Sequence, residues 1–90
     1  MSNVIVNRAL VVFADEPDGS KRREVVLHWM APNAHFAQGQ WWMRIEGHGK
    51  AWRASRDTLL DSLCATLNVS AEERHVIGMN MVAIEQQEGI

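Results

Sequence analysis

The chain reads as a small α+β domain. Its expected form is an antiparallel meander of about four strands, packed against one amphipathic helix and a short second helix. Three observations lead to this. Up to Arg56 the apolar residues come in short, β-branched or alternating stretches separated by Gly/Pro-containing turns. From Asp57 onward their spacing changes to that of a helix. A length of 90 residues leaves room for one core, so residues 1–90 are expected to form a single domain.

Val4 to Phe13 is dominated by Val, Ile, Leu and Phe and reads as a strand, interrupted near Asn7-Arg8. Asp15-Glu16-Pro17-Asp18-Gly19-Ser20 is a turn with a mechanism: Pro17 presets its φ, and Gly19 supplies the positive φ that closes a hairpin. Arg23 to Met30 is the return strand. Val25, Leu27 and Trp29 share one face, and Val26, His28 and Met30 the other. Apolar residues on both faces place it inside the sheet rather than at an edge. Ala31-Pro32-Asn33 ends it, and the stretch to Gly39 reads as a loop.

Gln40 to Arg53 carries the most information. Glu46-Gly47-His48-Gly49-Lys50 reads as a tight hairpin loop with His48 at its solvated tip, each flanking glycine supplying an unusual dihedral. That register sets Trp42 opposite Ala54, Arg44 opposite Trp52 and Glu46 opposite Lys50 on one face. Met43 then faces Arg53 and Ile45 faces Ala51 on the other. The first face would hold a cross-strand ion pair and an Arg–Trp contact, each worth about 0.2–1 kcal/mol.

Leu59, Leu60, Leu63, Cys64 and Leu67 make one helical stripe, with Ser55 or Asp57 available as the cap and Asn68 as the stop. Ser70-Ala71-Glu72-Glu73 is a capping box and starts a second helix. Two continuations then fit. Gly78 stops the helix and Met79–Glu85 forms a last strand, or the helix runs on to Gln86. The lack of a clean stripe through Val76-Ile77 and Met81–Ile84 favours the strand.

A net charge of -2 gives no general pull toward nucleic acid or anionic lipid. The charges are nevertheless unevenly placed. Residues 1–56 hold eight Lys/Arg against five acids, a balance of +3, whereas residues 57–90 hold Arg74 against six acids, a balance of -5. The single cysteine, Cys64, forms no internal disulfide. No apolar run reaches a membrane span, and Met1-Ser2-Asn3-Val4 does not open a signal peptide, so a cytoplasmic setting is expected.

Few residues here are arranged for chemistry. His28, His35, His48 and His75 are widely separated and form no paired-ligand motif, so no metal or other cofactor is expected. Cys64 lies among leucines, which suits a buried, inert thiol better than a nucleophile. Ser55, Ser62 and Ser70 stand at caps or on a polar face, outside any nucleophile elbow. Asp57 and Asp61 lie one turn apart on a solvated face, and Gly47-His48-Gly49-Lys50 is too short for a phosphate loop. Leu63 to Ser70 superficially resembles the first helix and turn of a helix-turn-helix module. Glu72 and Glu73 would then meet phosphates, and Arg74 stands where that motif wants an apolar anchor. A helix corner is the plainer reading.

Trp42, Arg44, Lys50, Trp52, Arg53 and Arg56 remain as the candidate partner-binding residues. Trp and Arg are the types most enriched where a few contacts carry an interface. Four tryptophans are also too many to bury fully in so small a domain. The expectation is therefore a non-enzymatic module that docks on a larger protein as a regulator or inhibitor, with self-association or a nucleic-acid-handling complex among the possible partners. The alternative is a nucleic-acid-binding domain that uses the basic hairpin 40–56 to stack bases and hold phosphates. Small motif-free domains of this size include the inhibitors that phages and mobile elements encode, anti-CRISPR proteins among them; that is an analogy of size alone.

Overall fold

The computed structural model describes residues 4–6, 8–32, 34, 37 and 39–88, with side chains from Arg8 to Gln87. Five strands run β1 (Val4–Val6), β2 (Ala9–Asp15), β3 (Arg22–Met30), β4 (Gln40–Ile45) and β5 (Ala51–Ala54). Helices α1 (Arg56–Thr66) and α2 (Ala71–Glu88) follow. The strands form one antiparallel sheet in chain order, a meander, with β3 at its centre as its two-faced apolar pattern requires.

Alternation sorts the side chains. Leu10, Val12 and Ala14 of β2, Val25, Leu27 and Trp29 of β3, and Trp41, Met43 and Ile45 of β4 point to one face. There they meet Leu59, Leu60, Leu63 and Leu67 around α1 and Ile77, Met81 and Ile84 of α2. Trp41 is fully buried, and its ring centroid lies 5.3 Å from that of Trp29. Both helices pack on this face, α1 over β4 and β5, α2 over β2 and β3. Among the described residues the opposite face carries no helix.

The β2–β3 hairpin closes as expected. Gly19 has φ +75°, and the Gly19 N–H donates to the Glu16 carbonyl at 2.8 Å. The capping box is also formed, with Ser70 N–H on the Glu73 carboxylate and Glu73 N–H on Ser70 Oγ, each at 3.1 Å.

Four expectations are corrected. The interruption near Arg8 is a reversal, so the fifth strand is β1, at the start of the chain rather than at its end; Asn7 itself lies outside the described residues. Residues 79–85 are helical, and the second helix is the longer one, 18 residues against 11. Ile77, Met81 and Ile84 do form a stripe at i, i+4 and i+7; exposed Val76 and Met79 obscure it. Gly78 sits inside the helix, its Cα side against Leu60 Cδ1. The end of α1 is Leu67 in extended conformation, and Asn68 instead bridges to Asp15, its N–H donating to the Asp15 carbonyl at 2.8 Å. Of the two expected caps, Ser55 is the N-cap of α1, and its hydroxyl donates to Thr58 Oγ1.

Candidate functional site

The candidate residues lie on and beside the β4–β5 hairpin, whose register decides what they build. Of its two glycines only Gly47 takes a positive φ, +82°. The tight turn is therefore Ile45–His48, closed by the His48 N–H on the Ile45 carbonyl at 3.0 Å. Centring the turn there, instead of on His48, moves the pairing by one residue. Trp41 faces Ala54, Trp42 faces Arg53, Met43 faces Trp52 and Arg44 faces Ala51. The expected partners of Trp42, Arg44, Met43 and Ile45 are thus replaced, and Glu46 accepts from the Glu24 N–H at 3.4 Å rather than pairing with Lys50. A one-residue shift exchanges the faces of a strand relative to its neighbour.

The six candidates consequently divide into three groups. Trp42, Arg44 and Arg53 share the helix-free face, where the Arg44 guanidinium lies 5.0 Å from the Trp42 ring centroid. Trp52 is on the helix side, half-buried against the core, with Lys50 Nζ 5.4 Å from its ring centroid and the His48 ring at 6.4 Å. Arg56 opens α1 and is engaged elsewhere: it donates to Glu85 Oε1 at 2.8 Å and lies 3.8 Å from Asp57. The other Glu85 oxygen accepts from the buried Trp41 Nε1 at 2.7 Å.

Trp42 continues a half-buried surface that sequence inspection did not assemble. His28 lies directly opposite Trp42, and Val26 opposite Arg44 and Val11. Phe13 and Met30 extend the same face along β2 and β3. The signal was present in the alternation of β2 and β3, once the helices are known to occupy one side only. Among the described residues Trp42 Nε1 is enclosed without a hydrogen-bond partner.

The remaining reactive groups are tied into local pairs. Cys64 is half-buried rather than buried, with Arg74 Nη1 3.9 Å from its sulfur, and Arg74 also holds Asp61 at 2.7 Å. His48 is no free loop tip: its Nε2 lies 3.2 Å from Glu16 Oε1, which also accepts from Arg23 Nε at 2.7 Å. These two bonds, the Arg23 one foremost, hold the Glu16 carboxyl below its ordinary range. Among the described residues no three His, Cys, Asp or Glu side chains converge; His35 lies outside them. No helix among the described residues is long and apolar enough to cross a membrane. No protein-family model, curated protein or solved structure matches the chain.

Proposed function

We propose that the chain is a non-enzymatic protein-binding module, a small regulator or inhibitor that docks on a larger protein in the cytoplasm through the β4–β5 hairpin. One observation carries this reading. Both helices occupy one side of the sheet, which leaves Trp42 on the other side between two exposed arginines, Arg44 and Arg53. An indole flanked by guanidinium groups beside an apolar strip of Val11, Val26 and Met30 has the composition of an interface centre.

The division of the cations counts against the nucleic-acid alternative. Arg56 is already neutralised by Glu85 and Asp57, and Lys50 lies over Trp52 on the other side. Arg44 and Arg53 remain on the Trp42 face. Two phosphate contacts would give a log–log salt slope of only about -1.4 on a single strand.

The test is affinity capture from nuclease-treated lysate of the source cell. Wild type is compared with Arg44→Glu/Arg53→Glu, an exposed pair whose replacement spares the core, and with Trp42→Ala, each checked for fold by circular dichroism. A protein retained by wild type and lost by the folded variants supports the reading. Capture of nuclease-sensitive material alone refutes it in favour of the alternative.

A further inference from the structure

Resting on the protein-binding reading, we infer that the free edge of β5 accepts an added strand, an extended acidic segment of the partner. Among the described residues β5 ends the sheet order and is paired on one side only, by β4. Its other side presents alternate N–H and C=O groups at strand spacing, the feature by which sheets recruit a further chain. Ala51 and Ala54 bracket this edge with small side chains, and Ala51 and Arg53 are exposed.

The split of the candidate residues between two faces then has a use. A strand laid along β5 would set its alternate side chains above and below the sheet. On the helix side they would meet Trp52 with Lys50 beside it; on the open side, Arg53 with Trp42 and Arg44 behind it. Among the described residues, none of Lys50, Arg53 and Arg44 has a carboxylate at ion-pair distance. Three cations without acids on both sides of one edge select for Asp and Glu in whatever pairs there.

Other occupants fit less well. A second copy, pairing β5 with β5 about a two-fold axis, would bring these cations against their own equivalents, because the chain's surplus acids lie in residues 57–88. A phosphodiester backbone is acidic but has no donor to match the edge carbonyls.

The probe is a displayed library of short random peptides, selected on the immobilised full chain. Binding is then read by amide hydrogen exchange and chemical shifts. We expect the selected pool to be rich in Asp/Glu and poor in Pro. A bound peptide should slow exchange at those β5 amides that face away from β4. Lys50→Glu/Arg53→Glu should weaken such a peptide by about tenfold or more, about 1.4 kcal/mol. Binding should return when the peptide's acids are changed to lysine.

Several results would overturn strand addition: no peptide selected, a neutral or basic pool, or unprotected β5 amides. Shifts confined to Val26, His28 and Trp42 would reject the edge while keeping the protein-binding reading. A dimer in sedimentation that Arg53→Glu strengthens would give the edge to a second copy instead. Failure of protein capture by wild type would remove the underlying reading itself.

Discussion

Replacing Glu85 tests the arrangement of α2 directly. This residue sits near the far end of the helix, 44 positions from Trp41, and its two oxygens serve two different elements. Oε2 accepts from Trp41 Nε1 at 2.7 Å, and Oε1 from Arg56 Nη1 at 2.8 Å. Trp41 is fully buried, so Glu85→Ala leaves its N–H facing an apolar surround or a newly admitted water. A hydrogen bond to a charged group contributes about 1.5–3 kcal/mol, and a half-exposed ion pair about 0.2–1 kcal/mol. The expected loss is therefore about 2–4 kcal/mol, a fall in midpoint temperature of at least about 8 °C. Water entering the cleft of about 190 Å³ beside Trp41, Gln40 and Arg56 would set the lower end of that range. Glu85→Gln keeps an acceptor for the indole but loses the charge, and should cost about half as much. Urea and thermal unfolding of the three proteins measure both. A Glu85→Ala protein within about 0.5 kcal/mol of wild type would mean that α2 does not lie as described. Equal losses for Ala and Gln would show that charge alone matters.

Three further outcomes follow from local geometry. Gly78→Ala should stabilise the chain by up to about 1 kcal/mol, because Ala is the better interior helix residue and its Cβ would sit 3.4 Å from Leu60 Cδ1, an ordinary contact; a destabilised variant in urea unfolding would place residue 78 outside a helix. Gly39→Ala and Gly19→Ala share a left-handed penalty of about 1–2 kcal/mol. Gly39→Ala should cost clearly more, since its Cβ would also meet the Met30 carbonyl at 2.9 Å and the Trp29 ring, whereas nothing lies near Gly19; equal unfolding midpoints would contradict that packing. Glu16 is held low by Arg23 and then by His48, so its contribution to stability is complete above its ordinary 4.5 and is lost as pH falls below that toward the folded value. Asp18, held low by Ser20, acts in the same direction. Glu16→Gln should accordingly flatten the fall of stability in acid, and parallel curves for the two proteins would exclude this role.

The elements whose signals are local were legible in the residues themselves. Gly19 takes the positive φ assigned to it, the Ser70–Glu73 box forms, β3 is central, and the leucines from Leu59 to Leu67 face the sheet. The candidate partner-binding residues were legible as types, Trp beside Arg and Lys, but not as a surface. Trp42 and Trp52 stand on either strand of the hairpin, so a slip of one residue still leaves a tryptophan near cations, and patterning alone does not choose between the two registers. The choice rests on which glycine turns the chain and on Trp52 and Ala54 packing against the core, where α1 lies over β4 and β5. Residues 79–85 were decided in the same way. Exposed Val76 and Met79 blur the helical period, and the helix persists because Ile77, Met81 and Ile84 find a sheet to cover and Glu85 finds Trp41 and Arg56. The Pro17–Gly19 turn, the Ser70–Glu73 cap and the leucine stripe of α1 depend on neighbours within a few positions, and sequence alone determined them. Register, helix length and the exposed face depend on surfaces brought together from distant positions, so tertiary packing decided them.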